Sequence, residues 1–409
     1  MVIKNKKTKI WILSELFYPD ETATAYIFTR IANHLSKKYH INVICGPKFY
    51  DFDKKFFSDS EKISNEIKIY RFYNLGLNKN SLFKRLFNHI LLSFWMSFTL
   101  IKNLKKNEIV LSATNPSFLV IVLALLKKFK KFKLHILIHD IFPENTIPAK
   151  VFKSNNIIFR IIKIIFDKAY SSSNHLIVLG RDMKEIMRLK TKAYNRNIKI
   201  SIVSNWSKFN EQKRDSNNIT SKNNMISILY AGNIGRVQGL FEVFNAFRSS
   251  KNGNLKIDVF GSGSLKNNLI NYIKTNKISN IFFNGSYSRN EESKILNSCD
   301  IALVSLANGM YGLGVPSKTY NILSSGKPIL FIGDPKSEIS LLINEFNIGW
   351  SLDVSKNDEI INFFNKLNFI DKNVLIEMGN NSKKLANDKF KEIDVLNLFQ
   401  SKIEETINN

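Results

Sequence analysis

Short apolar runs alternate with longer helical stretches along almost the whole chain, and no other feature constrains the fold as strongly. Apolar strands separated by helices are typical of a parallel sheet covered by helices on both faces. In the first half the predicted strands are residues 10–13, 41–45, 67–72, 109–112, 134–139, 176–179 and 200–203. In the second half they are residues 226–230, 255–260, 281–284, 301–305 and 329–332.

These two series of strands predict the α/β class, with two doubly wound, Rossmann-like domains facing a cleft. Helical spacing predicts helices at residues 26–36, 240–249, 264–275 and 290–297, another that begins at Ser337, and a terminal helix at residues 390–407. Residues 208–224 are polar and indicate a linker. We place the two domains at residues 1–206 and 225–389, the linker at residues 207–224, and a terminal segment that packs back toward the first domain at residues 390–409.

One unit of the second half, residues 308–328 (NGMYGLGVPSKTYNILSSGKP), combines a glycine-rich loop with a short helix between two strands. Pro316 suits the first helical position, and Gly326 suits the position just past the helix end. Glycines let backbone N–H groups approach a ligand, and a helix N-terminus carries about half a positive charge. Lys318 is unfavourable in that first turn unless an anion lies beside it. The unit is therefore either an anion-binding site or an ordinary turn with a solvated lysine.

The chain is strongly basic, and the excess charge lies almost entirely in its first half. Residues 1–205 contain 36 Lys and Arg against 14 Asp and Glu, a net charge of +22, whereas the remainder carries +4. Such asymmetry indicates an anionic partner surface. Because lysine outnumbers arginine and we find no nucleic-acid-binding motif, we predict an anionic membrane surface and no nucleic acid.

Three stretches of the same half are both apolar and basic, namely residues 82–106, 119–133 and 157–168. Each is either a core helix whose lysines reach water or a helix lying in a membrane interface, and their concentration in the basic half favours anionic lipid. The longest nearly apolar run, residues 90–101, is shorter than the roughly 20 residues of a spanning helix. With no signal peptide and with two distant cysteines, Cys45 and Cys299, we expect a cytoplasmic protein, peripheral on the inner face of the plasma membrane.

A series of motifs follows the predicted strands: LSELFYPD (13–20), HDIFPE (139–144), SNW (204–206), YAGNIGRVQG (230–239), FGSG (260–263), NG (284–285) and the unit at 308–328. In order and spacing they resemble family 4 glycosyltransferases over nearly the whole chain. The resemblance implies a GT-B fold and a retaining enzyme that uses a nucleotide-sugar donor without a metal or other cofactor. The VPSK and HDIFPE forms are most similar to the branch that builds bacterial O-antigen, capsule and colanic-acid sugars, which includes N-acetyl-L-fucosaminyltransferase-like proteins acting on polyprenyl-linked acceptors.

The resemblance also implies roles for individual residues. Departure of a nucleoside diphosphate leaves negative charge on the β-phosphate, which Arg236 would stabilise as a planar fork and Lys318 as a point charge. His139 would orient the donor sugar, so these three are the predicted catalytic residues; a surface arginine and a structural histidine are the alternatives. The predicted donor-binding residues are Gly232, Asn233, Gly235, Arg236, Gly261, Gly263, Tyr287, Gly314, Val315, Pro316, Ser317, Lys318 and Asn321.

On the acceptor side we predict Glu15, Asp20, Thr22, Asp140 and Glu144, whose oxygens can hydrogen-bond acceptor hydroxyls. For Asp140 and Glu144 the alternative is a cap on the following loop. The resemblance also implies that no protein base is required, because in retaining transfer of this kind the leaving phosphate would take the acceptor proton.

The chain departs from the family pattern at several positions. Gln238 stands where the family has a lysine, and residues 22–25 replace a glycine-rich loop. The family's paired glutamates are absent: the second, which holds the ribose, aligns with Asn321, and the first falls near Leu313. We expect Asn321 to hydrogen-bond the ribose and Lys318 to replace the missing cation.

We therefore predict a hexosyl- or N-acetylhexosaminyl-type glycosyltransferase that moves a sugar from a UDP-sugar to a polyprenyl-diphosphate-linked saccharide in bacterial surface polysaccharide synthesis. A nucleotide-sugar epimerase or hydrolase of the same fold is an alternative, but it needs no membrane-facing helices. The absent glutamates leave open a non-catalytic nucleotide-sugar-binding subunit of a polysaccharide assembly complex. A nucleic-acid-binding protein rests on charge alone and would bind in a strongly salt-dependent way.

Overall fold

A computed structural model describes residues 8–20, 22–47, 63–72, 82–207, 225–367 and 370–407, so the predicted linker at residues 208–224 lies outside the described residues. Two separate sheets, each flanked by helices, account for the described strands, and every hydrogen-bonded strand pair in them is parallel. The predicted α/β class with two doubly wound sheets is therefore confirmed.

The strands of the first sheet are β1 (Lys9–Ser14), β2 (His40–Cys45), β3 (Lys68–Arg71), β4 (Ile109–Ala113), β5 (Lys133–Ile138), β6 (His175–Val178) and β7 (Lys199–Ile202). Their order in the sheet is β3-β2-β1-β4-β5-β6-β7. The helices are α1 (Ala23–Ser36), α2 (Leu82–Asn103), α3 (Phe118–Phe129), α4 (Ile157–Ser171) and α5 (Arg181–Thr191). The strand order reverses between β1 and β4, which opens a crevice at their carboxyl ends.

Burial on both faces explains why these strands are apolar throughout rather than alternating. Every residue of β4 is buried, and in β1 only Lys9 is not. Each fully buried isoleucine or leucine contributes about 1.5–3 kcal/mol relative to an exposed one. Right-handed crossovers place the helices that follow β3, β4, β5 and β6 on one face, and neighbouring members of α2 to α5 pack against each other there.

The second sheet contains β8 (Ile226–Ala231), β9 (Leu255–Phe260), β10 (Ile281–Gly285), β11 (Ile301–Ser305), β12 (Ile329–Gly333) and β13 (Gly349–Asp353). Their order is β10-β9-β8-β11-β12-β13, with the reversal between β8 and β11. The helices are α6 (Leu240–Ser249), α7 (Lys266–Thr275), α8 (Glu292–Asn297), α9 (Lys318–Ser324), α10 (Glu338–Phe346), α11 (Asn357–Lys366), α12 (Lys372–Lys389) and α13 (Glu392–Ile407).

The structure corrects one prediction for the glycine-rich unit. Helix α9 begins at Lys318, with Ser317 preceding it, so Pro316 is not its first residue. The Pro316 carbonyl instead accepts from the Thr319 amide at 3.2 Å. The end of the helix is as predicted, because Gly326 takes a left-handed φ of 63° just beyond it. Strand β13 and helices α5, α11 and α12 were not among the predicted elements.

Helix α13 packs against α1 and contacts His135 near the start of β5, and both elements belong to the first half of the chain. The Arg30 guanidinium forms an ion pair with Glu392, and the Tyr39 hydroxyl donates to Glu404 at 2.7 Å. The position of the domain boundaries stays a prediction. Of the described helices, none combines the length and hydropathy that a bilayer span requires.

Candidate active site

A cavity of about 910 Å³ lies between the two sheets and is lined by residues of both. Of the residues predicted from the first half, those on its wall are Asp20, Thr22, His139 and Asp140. Of those predicted from the second half, they are Gly232, Asn233, Gly261, Tyr287, Gly314, Val315, Pro316, Ser317, Lys318 and Asn321. The cavity therefore unites residues separated by up to about 300 positions because both strand-order reversals open toward it.

Five predicted residues lie outside the cavity lining. Arg236 Nη1 donates to the Ala149 carbonyl at 3.4 Å, and Gly235 lies in the turn that Gln238 closes by accepting from its amide at 3.0 Å. Gly263 packs against the Ile234 carbonyl, where an added Cβ would approach to 2.3 Å.

The two remaining acids contact basic residues of the first half. Glu15 lies 3.6 Å from His89 Nε2, and Glu144 accepts from the buried Lys190 ammonium at 2.6 and 2.7 Å. Glu144 is therefore part of an ion-pair cluster rather than of the cavity wall.

The two domains meet directly at the cavity floor. The Ile141 amide donates to the Leu313 carbonyl at 3.0 Å, next to a bridge between Asp140 and Gly314. An added Cβ at position 314 would lie 3.2 Å from Asp140 Oδ1 and 3.2 Å from the His139 carbonyl. A glycine at 314 therefore lets the loop before α9 approach the end of β5.

Lys318 lies in the first turn of α9 and extends along the cavity wall. Its Nζ is shielded from solvent, lies 3.4 Å from the centroid of the Tyr230 ring, and has no hydrogen-bond partner among the described residues. Burial holds the pKa of Lys318 well below its ordinary value. An added Cβ at Gly232 would lie 3.9 Å from this nitrogen, so the ammonium lies over the backbone at the end of β8. An anion in the cavity can reach both groups.

His139 and Asp140 follow β5, and the pKa values of their side chains are shifted in opposite directions. Burial lowers the pKa of His139 to about 4, so the imidazole is neutral at pH 7, and its Nε2 is buried without a hydrogen-bond partner in the described chain. The ring meets Phe28 edge to face at 5.7 Å. Solvent reaches Asp140 through the cavity, yet the surrounding protein raises the pKa of its carboxyl to about 6.

A carboxylate lies beside Asn321, although the sequence has asparagine where the resembling family has glutamate. Asn321 Nδ2 donates to Glu292 Oε2 at 3.0 Å, and both line the cavity. Asn321 is one helical turn beyond Lys318, so the two side chains share a face of α9. Tyr287, which packs edge to face on Phe260, completes this wall.

Several cavity residues were not predicted as site residues. Trp206 Nε1 and Ser305 Oγ are buried without hydrogen-bond partners in the described part of the chain, and Arg289 stacks 4.0 Å above the Tyr26 ring across the cleft. Trp206 ends the SNW motif, so the sequence did contain a signal that could have identified it as a site residue. Ser305 is recognisable only once β11 is known to adjoin β8, and Glu292 resembles any helical acid. No cluster of three or more His, Cys, Asp or Glu side chains able to hold a metal ion occurs in the described residues.

The fold and site define a two-domain glycosyltransferase of the GT-B type. The family described as glycosyl transferases group 1 matches residues 209–384. The probable glycosyltransferase WbjE of Pseudomonas aeruginosa is 30% identical over 349 residues, which cover 84% of this chain and 85% of that protein. The chain belongs to the group 1 glycosyltransferases and is a transferase.

Solved structures share the fold at low sequence identity. Sucrose-phosphate synthase of Thermosynechococcus elongatus has a TM-score of 0.75 at 10% identity and covers 98% of this chain and 100% of its own. HepE of Anabaena, determined in complex with UDP, has a TM-score of 0.66 at 13% identity over 97% of this chain and 100% of its own. WaaG, a glycosyltransferase involved in lipopolysaccharide biosynthesis, has a TM-score of 0.67 at 12% identity over 95% of this chain and 99% of its own.

Proposed function

We propose that this glycosyltransferase moves a sugar, with retention of anomeric configuration, from a UDP-sugar to a polyprenyl-diphosphate-linked saccharide of a bacterial surface polysaccharide. The observation that carries the donor half is the Lys318 ammonium, buried over Gly232 without a hydrogen-bond partner in the described residues. A lone buried cation is costly, and a diphosphate entering the cavity would compensate its charge.

The rest of the cavity wall fits a nucleoside beyond that diphosphate. The Asn321–Glu292 pair lies one helical turn from Lys318 and offers a carboxylate and an amide, which suit the adjacent hydroxyls of a ribose. As the bond to the leaving diphosphate breaks, the Lys318 ammonium stabilises the growing negative charge. Among the fold relatives, HepE was determined with UDP bound, which supports uridine as the nucleoside.

The sugar and acceptor would lie on the side of His139 and Asp140. A neutral His139 can donate or accept one hydrogen bond and so orient a sugar hydroxyl without adding charge. Asp140, with its pKa raised to about 6, is ionised in most molecules at pH 7 and can accept from an acceptor hydroxyl. Arg236 would have to leave the Ala149 carbonyl to reach a diphosphate, so we assign the main electrostatic role to Lys318.

The acceptor half of the proposal rests on a surface of the first domain that we call the helical face. It comprises the exposed apolar side chains of α2, α3 and α4: Phe87, Phe94, Phe98, Leu125, Phe129, Ile157, Ile158, Ile161, Ile164 and Ile165. Phe129 is 85% exposed and Ile157 is 72% exposed, far more than the core helices of a monomer need. Five isoleucines of α4 stand outward, while Phe159 and Phe166 of the same helix face the core and Ile162 packs against it.

Basic side chains frame the helical face. Lys102 lies 4.2 Å above the Phe98 ring, and the exposed Lys128 and Arg160 come from α3 and α4. The Lys127 ammonium instead donates to the Ser172 carbonyl at 2.6 Å. Apolar side chains that enter the headgroup region, bordered by cations that contact anionic headgroups, are typical of interfacial helices. We therefore assign this face to an anionic bilayer, which would bring a lipid-linked acceptor to the same domain.

Calorimetric titration of the purified protein with UDP, GDP, ADP and TDP tests the donor half. We expect one diphosphate to bind in the micromolar range, with binding weakened by Lys318→Ala and little changed by Arg236→Ala. No binding of any of the four by folded protein would refute the donor assignment. Transfer to a polyprenyl-diphosphate-linked saccharide, with the product's anomeric configuration read by NMR, tests the reaction.

Flotation with vesicles tests the acceptor half. Wild-type protein should float with vesicles rich in phosphatidylglycerol, less with pure phosphatidylcholine, and less again at high salt. Phe129→Ser with Ile157→Ser should reduce flotation several-fold, because both lie on the helical face. The control is Leu398→Ser, a residue 42% exposed on α13, away from that face. Equal flotation of all three proteins would refute the assignment.

A further inference from the structure

Ser305, the last residue of β11, buries its hydroxyl at the cavity wall. The residue is 1% exposed, and its Oγ has no hydrogen-bond partner among the residues that the structure describes. Other buried serines of the chain differ: Ser112 donates to the Ala113 carbonyl at 2.9 Å, and Ser382 donates to the Lys327 carbonyl at 3.1 Å. Because buried hydroxyls are almost always satisfied, this one points to a ligand.

The strand register directs Ser305 toward Gly232, a residue near the buried lysine nitrogen. Strands β8 and β11 pair in parallel with Ile301 opposite Ile228 and Ala302 opposite Leu229. Continuing that register brings Ser305 opposite Gly232, the residue over which the Lys318 ammonium lies. The two strands separate there, since the strand order reverses between them, and ligands of open α/β sheets bind in such crevices.

We propose that Ser305 Oγ donates a hydrogen bond to a diphosphate oxygen of the bound nucleotide, next to the Lys318 ammonium. This inference rests on the proposed function, because it takes the cavity to hold a nucleoside diphosphate. The chemistry of the pair selects the ligand group. An ammonium can only donate, so the group between Lys318 and Ser305 must accept, and it must be anionic to balance the buried charge. A phosphate oxygen meets both demands, whereas a sugar hydroxyl meets only the first.

Ser305→Ala separates this role from a structural one, because the two roles move stability and affinity in different directions. Removing a hydroxyl that has no partner should raise the Tm of the ligand-free protein by about 2–4 °C. The same change should reduce, by about tenfold, the affinity for whichever of UDP, GDP, ADP and TDP binds most tightly, and the affinity for inorganic pyrophosphate. Binding of the parent nucleoside should not change, because it has no phosphate.

The matched control is Ser382→Ala, which removes an equally buried hydroxyl of the same domain that is hydrogen-bonded and distant from the cavity. Its Tm should fall by a few degrees, and its nucleotide affinity should not change. The inference is overturned if wild-type protein binds the diphosphate but Ser305→Ala binds pyrophosphate equally well, or if its ligand-free Tm falls as in the control. Failure of wild-type protein to bind any diphosphate would instead overturn the proposed function.

Discussion

Nucleotide binding should be accompanied by proton uptake at Lys318. In the ligand-free protein the pKa of this ammonium lies well below its ordinary value near 10.5, because its nitrogen is buried and has no hydrogen-bond partner in the described chain. A bound diphosphate supplies negative charge and raises that pKa again. At a pH between the two values, the lysine is partly neutral before binding and charged after it, so up to about one proton enters with the ligand.

The magnitude follows from the contacts that Lys318 would gain. Hydrogen bonds between charged groups contribute about 1.5–3 kcal/mol each. Lys318→Met keeps most of the apolar stem against Tyr230 but loses the ammonium, so nucleoside diphosphate affinity should fall about 10- to 150-fold. The affinity of wild-type protein should also fall as pH rises through the window between the two pKa values, because binding must then be coupled to the uptake of a proton from solvent.

Titration calorimetry in two buffers of different ionisation enthalpy measures the protons taken up. Wild-type protein should give different apparent enthalpies in the two buffers, and Lys318→Met should give equal ones. Lys356→Met, which changes an exposed lysine paired with Glu359, serves as the control and should behave like wild type. Equal enthalpies for wild-type protein throughout the alkaline range, together with an unchanged affinity of Lys318→Met, would refute the reasoning.

Three further predictions concern residues outside this contact. Glu292→Gln should reduce the preference for UDP over 2′-deoxy-UDP by about tenfold, measured as a ratio of dissociation constants, and an unchanged ratio would remove Glu292 from the ribose site. Burial lowers the pKa of His135 to about 3 and of His175 to about 4, so stability should be fully present above pH 6.5 and fall as pH drops toward 4; His135→Gln should flatten that fall in acid denaturation curves. Glu144→Gln should lower the free energy of unfolding by about 1–3 kcal/mol, because it leaves the buried Lys190 with only part of its ion-pair cluster, and urea denaturation at pH 7 would show no change if that cluster were dispensable.

Most of the fold could be predicted from the sequence because parallel strands are buried on both faces and therefore read as continuous apolar runs. Strand β13 was missed because it is not buried on both faces and its sequence is therefore not a continuous apolar run. Its residues, GWSLD, are only partly buried at the edge of the second sheet, and the run includes a glycine, a serine and an aspartate. Helix α12 contains several asparagines and lysines, and its apolar stripe is narrow. The helical periodicity of its sequence is therefore weak.

The site was harder to predict than the fold, because motifs locate backbone segments and not side-chain directions. The glycine loops around Gly232, Gly261 and Gly314 do line the cavity, since their backbones form its wall. Arg236, one residue beyond such a loop, turns instead toward Ala149 of the other domain. Glu144 likewise belongs to a motif that reaches the cavity, but its carboxylate turns toward Lys190.

The absent family glutamate shows how a three-dimensional contact can stand in for a missing residue. Position 321 carries an amide, which offers no charge, but the neighbouring α8 brings the Glu292 carboxylate to within 3.0 Å of it. No spacing rule connects two residues on separate helices, so only the hydrogen bond between the two side chains in the structure reveals the pair. The missing glutamate is therefore a weak argument for a non-catalytic protein.

The polar atoms without partners in the cavity indicate which ligands would stabilise the site. Four of them, His139 Nε2, Trp206 Nε1, Ser305 Oγ and Lys318 Nζ, lack hydrogen-bond partners among the described residues. Each such atom costs about 1–3 kcal/mol, so a ligand that satisfies it also stabilises the folded protein. Ser305 and Lys318 lie together in the second domain, whereas His139 belongs to the first and Trp206 to the junction. A nucleoside diphosphate alone would satisfy the first pair, and the other two would require the sugar or the acceptor. Full stabilisation should therefore need both substrates.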